Sequence, residues 1–319
     1  MICDIKPGQS IVAFFILRKK ELRTMHGNRD FYLSLELGDS SGRIFASVWQ
    51  NAEKLYSDLE EGQPVKVRAK VIDWKGRAHL SVEKIRPVEE RDELDAGTLL
   101  PEAKADIQKI LADIRAIIED VKNEQLRVLL NSFYQDEKFA EQFCQAPGGK
   151  LWHHCYKGGL AEHTLAVANM CMQIASLYPR IHRDLLVAGA LLHDIGKIRE
   201  YEVRGFFDFS DAGRLLGHIA MGYHKVAERI EALPDFPEKL ADQLLHLILS
   251  HQGKREQGAP VVPMTREAMI LYYADELDSR LNAMERIYNR DKEPGRKWSQ
   301  YIKLLDRFIY FGDEDDPAD

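Results

Sequence analysis

The chain has 319 residues, 45% hydrophobic and 30% charged, with a formal net charge of −7. That length suits about two domains, and the composition excludes global disorder and leaves enough apolar residues for a sizeable core. No apolar run approaches the ~18 residues of a membrane span, and the N-terminus lacks a charged-then-apolar signal pattern. Cys3, Cys144, Cys155 and Cys171 form no CxxC pair, so a cytoplasmic protein with reduced thiols and no membrane partner is expected. The charge is uneven. Residues 1–88 hold 15 Lys/Arg against 11 Asp/Glu, and residues 89–319 hold 29 against 40. A basic module on an acidic body hints at a polyanionic partner for the module.

The first 88 residues read as strands. SIVAFFIL (10–17) is an apolar run, and FYLSLEL (31–37) and RIFASVW (43–49) alternate, with a turn at Asp39-Ser40-Ser41-Gly42 between them. A short helix is expected over 51–59, an alternating strand over 65–71, a turn at Trp74-Lys75-Gly76-Arg77 and a last strand over 78–85. Five strands with a helix after the third suit an OB-like barrel. Such a barrel grips single strands with basic and aromatic side chains. Phe31, Tyr32, Trp49 and Trp74 are the candidate stacking platforms, alongside Arg43, Lys75 and Arg77. Phe31 and Tyr32 are adjacent and point to opposite faces, so one of them is expected in the core. Lys66, Arg68 and Lys70 alternate along one strand face as a basic ladder, the best nucleic-acid feature here, although a solvated outer face gives the same pattern.

Residues 86–100 are charged and turn-rich, a linker, and the organisation expected is 1–88, a linker and helical segment over 89–149, a helical domain over 150–312 and an acidic tail over 313–319. From Pro101 the period changes. Ile107, Ile110, Leu111, Ile114, Ile117, Ile118 and Val121 recur at three- and four-residue intervals, so a helix starting at Pro101 is expected, followed by a second over 124–134. After a break at Pro147-Gly148-Gly149 nearly everything reads as helix up to Phe311.

Seven of the eleven histidines lie between Trp152 and His224. RDLLVAGALLHDIGK (183–197) is a nearly all-apolar helix whose end carries His193 beside Asp194. A buried carboxylate needs a cation or strong donors, and a divalent metal would explain both side chains; Gly196 is expected to close the helix as a C-cap. His163, His218, His251 and Asp275 are further polar residues in core-seeking segments, which suggests one shared site between helices of a bundle. His246 and His251 are about 140° apart around a helix, so only one is expected in the site, and His251 at the helix end is preferred. Asp278 could share the face of Asp275 and is its weaker competitor.

The order His163, His193-Asp194, His218, His251, Asp275 resembles the HD-domain metal-dependent phosphohydrolases. The stretches WHHCYKGGLAEHT (152–164), LLHDIGK (191–197), GHI (217–219) and LSHQGKREQGAP (249–260), together with the N-terminal barrel, resemble the YhaM-type 3′–5′ exoribonuclease family. Gln252 departs from that family, which often carries a second histidine there. The resemblance implies a five-stranded barrel followed by an all-α HD bundle. It implies that His163, His193, Asp194 and Asp275 hold one divalent ion, and Asp194, His218 and His251 a second. Mn, Co, Fe, Ni, Zn and Mg all remain open, with Mn placed first. It further implies hydrolysis of single-stranded RNA, with single-stranded DNA a second candidate, by water that the metal activates. Asp194 and Lys197 are the expected catalytic residues, Lys197 reaching a phosphate oxygen. His153, His154, Lys66, Arg68 and Trp74 are the expected substrate contacts. A phosphohydrolase of small nucleotides or cyclic dinucleotides, and a non-catalytic nucleic-acid-binding regulator, are the competing readings. A homo-oligomer is also expected.

Overall fold

The computed structural model describes residues 1–24, 30–89, 91–92, 94, 99–103, 105–150, 153–203, 205–292 and 295–312. Leu151 and Trp152, which bear on the first motif stretch, part of the linker, and the acidic tail 313–319 lie outside the described residues. The chain divides into two compact units, Met1–Glu102 with Val203–Asp208, and Ala103–Glu202 with Phe209–Asp319. The first therefore extends past residue 88 and takes in a short segment from much later in the sequence.

The first unit is a closed barrel in the order β1-β2-β3-β5-β4. Its strands are β1 (Ser10–Thr24), β2 (Phe31–Asp39), β3 (Gly42–Val48), β4 (Pro64–Trp74) and β5 (Arg77–Pro87), with helix α1 (Ala52–Asp58) after the third. β1 runs seven residues further than its apolar stretch predicts. Its first half pairs with β4 and its second half with β2, with a register shift between Leu17 and Lys19. That bulge bends one strand around the barrel corner and lets it close the sheet. Alternating side chains such as Leu33, Leu35, Leu37, Val65, Val67 and Val71 fill the interior. Neither Phe31 nor Tyr32 joins them. Phe31 is exposed and Tyr32 half-buried against the Trp49 ring, because both sit at the start of β2, outside the packed layer.

The second unit is helical. It comprises α2 (Ile107–Glu119), α3 (Glu124–Tyr134), α4 (Glu137–Gln145), α5 (Gly159–Leu177), α6 (Arg183–Leu192), α7 (Lys197–Glu200), α8 (Asp211–Glu231), α9 (Glu238–Ser250) and α10 (Arg266–Asp291). α2 starts six residues after Pro101, because the Asp106 carboxylate accepts from the Gln108 and Lys109 amides and caps it there. Every residue of α6 from Asp184 to Leu192 is buried, as its apolar sequence requires, and the helix lies centrally among its neighbours. Two stretches correct the expectation of helix up to Phe311. A ribbon of β6 (Tyr201–Val203) and β7 (Phe207–Phe209) interrupts the helices. After α10 the described residues are non-helical, with bridges at Trp298–Tyr310 and Ile302–Arg307 around Ile287, Ile302, Leu305, Ile309 and Phe311.

Candidate active site

α6 delivers His193 and Asp194 into the interior at its C-terminal end, and the other helices bring their polar residues to the same point. α5 supplies His163, α8 His218, the end of α9 His251, and α10 Asp275. Asp194 sits in the middle. Its Oδ2 lies 3.4 Å from His163 Nε2 and 3.3 Å from His193 Nε2. Its Oδ1 lies 3.5 Å from His218 Nε2 and 3.6 Å from His251 Nε2. Asp275 Oδ1 is 3.2 Å from His163 Nε2. The structure thus brings all six expected ligands together, two imidazoles on each oxygen of one carboxylate.

The imidazoles are aimed by what holds their other nitrogen. His193 Nδ1 donates to the Ala190 carbonyl at 2.8 Å and His251 Nδ1 to the Ile248 carbonyl at 2.7 Å. A carbonyl only accepts, so the proton resides on Nδ1 and Nε2 presents a lone pair. His163 Nδ1 donates to Asp278 Oδ2 at 2.6 Å and His218 Nδ1 to Glu200 Oε1 at 3.0 Å. Asp278 therefore does not compete with Asp275 for the centre. It holds the far side of His163 and also receives His154 Nε2 at 2.8 Å. Burial opposes ionisation of Asp278, but the His154 and His163 contacts outweigh it and hold the carboxyl below its usual range.

Both Asp194 oxygens, His218 Nε2 and His251 Nε2 are buried without a hydrogen bond. Four orphaned polar atoms facing one another would be costly in a dry interior. Their spacing is that of neighbouring ligands around ions with bonds of ~2.1 Å, so the donor set fits divalent metal. Lys197 Nζ lies 2.5 Å from Asp194 Oδ2, outside hydrogen-bond geometry, and donates to the Gly148 carbonyl at 2.7 Å. Burial works against its charge, yet Asp194 and Asp275 keep its pKa raised. Asp194 is likewise held well below the carboxylate range, against burial, by Lys197 and His193. The lysine is 5% exposed with two partners in place, so it can reach a phosphate only by leaving one of them.

His154 is buried and committed to Asp278 and to the Tyr156 hydroxyl, which donates to its Nδ1 at 2.8 Å. Both of its ring nitrogens are therefore occupied by neighbours. His153 keeps an unpartnered, buried Nδ1 with its ring 5.6 Å from that of His163, and burial pushes its pKa down to about 3. His246 accepts from the Met264 amide and takes no part. Gly196 does not cap α6. Its φ is −63°, and its role is closeness: a Cβ there would lie 2.0 Å from the His218 carbonyl oxygen. α8 is broken at Gly217 (φ 72°), so His218 opens a fresh helix whose first amide donates to Glu200 Oε1 at 3.0 Å. Sequence reasoning missed Glu200 and named Asp278 only as a weaker competitor of Asp275. For Asp278 the signal was a carboxylate in a half-buried helical position with no cation at helical spacing, whereas Glu200 follows Lys197 by three residues and reads from spacing as a partner of that lysine.

On the barrel, Trp74 and Phe45 are 56% and 57% exposed. With Lys75, Arg77 and His79 they line a hollow of about 330 Å³. Arg68 and Lys70 are exposed on the outer face of β4, and Lys70 lies 3.8 Å from Glu83. Lys66 is half-buried and paired with Asp92 at 2.8 Å.

A helical bundle with this His/Asp centre, in one chain with an OB barrel, defines an HD-domain protein with a nucleic-acid-binding module. The HD domain family matches residues 160–280, and an OB-fold nucleic acid binding domain family matches residues 15–88. Relatives named 3′-5′ exoribonuclease YhaM are 33% identical in Bacillus subtilis, over 93% of this chain and 93% of that one, and 32% identical in Bacillus licheniformis, over 94% of each. The chain belongs to the YhaM family. Among solved structures, the second OB-fold domain of replication protein A from Methanococcus maripaludis is 21% identical with a TM-score of 0.24, covering 29% of this chain and 97% of that one, a likeness too slight to build on.

Proposed function

We propose that this protein is a metal-dependent 3′–5′ exoribonuclease that hydrolyses phosphodiester bonds of single-stranded RNA in the cytoplasm. The observation that carries the reading is Asp194, whose two buried oxygens each face two imidazole Nε2 atoms with no hydrogen bond between them. The names of the Bacillus relatives support RNA and the direction of attack. Divalent ions bound there supply Lewis acidity and bring the pKa of water towards ~7. Their ligands would be His163, His193, Asp194 and Asp275 on one side and Asp194, His218 and His251 on the other, a mixed nitrogen and oxygen set that suits manganese.

The chain's own residues prepare that chemistry. Lys197 keeps Asp194 ionised and fixed. Ala190, Ile248, Asp278 and Glu200 hold the Nδ1 protons, leaving Nε2 free to ligate. His153, neutral and half-open, is the histidine of its pair left to touch substrate. On the barrel, Trp74 and Phe45 offer stacking surfaces beside Lys75 and Arg77, which suits single strands of RNA and of DNA. Met269, Tyr273, Leu277 and Leu281 recur every four residues along α10 and are exposed, which supports a homo-oligomer.

The test is end-labelled single-stranded RNA incubated with Mn²⁺, with EDTA, and with the Asp194→Asn variant after circular dichroism shows it folded. Shortening from the 3′ end only with metal and intact Asp194 is expected. RNA left whole by metal-loaded protein, with small nucleotides or cyclic dinucleotides hydrolysed instead, would overturn the assignment.

A further inference from the structure

Seven cations of the barrel have acidic partners. Arg18 and Arg43 pair with Glu36, Lys19 and Arg23 with Glu21, Lys70 with Glu83, and Lys66 and Arg86 with Asp92. Among the described residues Lys6, Lys20, Lys54, Arg68, Lys75, Arg77 and Lys84 have no ion pair with a carboxylate, and three of them, Lys54, Arg68 and Lys84, line one cleft of about 880 Å³ between α1 and the β4–β5 pair. This is a different place from the Trp74 hollow, with no residue in common.

Arg68 and Lys84 are direct partners across the β4–β5 ladder, next to a register shift between Arg68 and Ala69. Like charges directly opposite each other are destabilising, so an anion between them would relieve a cost that the fold alone leaves standing. The floor of the cleft is apolar, from Val48, Val82 and Ile85. Its rim carries Trp49, 49% exposed, with Tyr32 stacked on it at 4.9 Å between ring centroids. Lys66 and Arg86 also line the cleft, but Asp92 holds both, Arg86 through two hydrogen bonds of 2.6 and 2.9 Å. Asp58 and Glu83 are the acidic residues of the lining, and Glu83 is occupied by Lys70.

We propose that this cleft is a second nucleotide-binding site, taking a phosphate between Arg68 and Lys84, with Lys54 nearby, and a base against Trp49. Two sources share that chemistry: one nucleotide of an RNA strand, and a free nucleoside monophosphate. The site takes Arg68 and Trp49, which the sequence offers as single-strand contacts, away from the Trp74 hollow into a separate cleft, and binding there does not require the helical centre to hydrolyse RNA.

The experiment uses the full chain in EDTA, so that nothing is hydrolysed. Binding of a fluorescein-labelled 20-nucleotide oligouridylate is followed by anisotropy, and binding of UMP by calorimetry, for the wild type, Arg68→Gln/Lys84→Gln, and Trp74→Ala. Removing the like-charge pair should leave the melting temperature unchanged or raised, so the double variant remains a fair comparison. If the strand is the source, the double variant binds the oligonucleotide at least tenfold more weakly and lowers the log K against log[salt] slope by about 1.4. If the free nucleotide is the source, UMP binds the wild type and Trp74→Ala but not the double variant. Oligonucleotide affinity within twofold of wild type in the double variant, together with no UMP binding dependent on these residues, would overturn the site. Hydrolysis of RNA is read separately, so its absence would count against the exoribonuclease alone.

Discussion

Gly196→Ala should disturb both the fold and the metal centre through one atom. A Cβ at position 196 would stand 2.0 Å from the His218 carbonyl oxygen and 2.8 Å from the Gly222 amide nitrogen, both backbone atoms that cannot rotate away. Restoring an ordinary contact of ~3.5 Å requires α8 to retreat by about 1.5 Å at its closest point. Overpacking of this kind costs about 1–3 kcal/mol, and each kcal/mol lowers the melting temperature of a unit of about 200 residues by roughly 2–4 °C. His218 rides on the part of α8 that must move, and its Nε2 is placed 3.5 Å from Asp194 Oδ1. Ligand positions tolerate only about 0.2 Å, so a shift of that size should remove His218 from the centre. Thermal unfolding in EDTA and in Mn²⁺ reads both effects. The variant should melt lower in EDTA, and the rise on adding Mn²⁺ should shrink. A variant with the wild-type melting temperature and the full Mn²⁺-induced rise would refute the close-approach argument.

Asp278→Ala and Glu200→Ala should each weaken Mn²⁺ binding by about 10–100-fold, with Asp278→Asn and Glu200→Gln in between, since an amide keeps an acceptor oxygen but loses the charge; calorimetric affinities within twofold of wild type would contradict this. Tyr134→Phe removes the hydroxyl that donates to the Leu191 carbonyl at 2.6 Å in the core and should lower stability by about 1–3 kcal/mol, read from urea unfolding; an unchanged midpoint would show that carbonyl to be satisfied otherwise. Asp136 accepts from the Phe139 amide and from Arg229 at 2.9 Å, and these contacts lower its pKa. A depressed carboxylate adds stability above its unfolded value of ~3.9 and loses it as pH falls through the folded value. Asp136→Ala should therefore melt below wild type at pH 7, with the gap narrowing once pH drops below about 4; a gap independent of pH would exclude the charge as its source.

Much of this was legible in the sequence because burial and polarity conflict there. A histidine and an aspartate ending the wholly buried α6 demanded partners, and each remaining ligand was a polar residue in an apolar segment. The alternation at 43–49 and 65–71 likewise located β3 and β4. What was hidden depends on approach between distant segments. Asp275 and Asp278 lie one turn apart on α10, about 4.5 Å along its axis. One imidazole, His163, spans that rise and sorts them into ligand and support, which spacing alone could not do. Spacing offers Lys197 to a phosphate and does not show that Gly148, far back in the chain, accepts from its ammonium. Gly196 reads as a helix stop until α8 is seen against it. The end of β1 was unreadable because RKKELRT (18–24) alternates too weakly to show which face is inside.

The four imidazoles are anchored by unlike means, and the difference bears on how the centre can diverge. His193 and His251 rest on main-chain carbonyls, which every residue supplies, so no single substitution at Ala190 or Ile248 removes the acceptor. His163 and His218 rest on the side chains of Asp278 and Glu200, which single-codon changes can exchange. One anchor of each kind serves each oxygen of Asp194. A substitution at 200 or 278 would thus loosen the aim of one imidazole on its side of Asp194 while the carbonyl-anchored neighbour stays fixed.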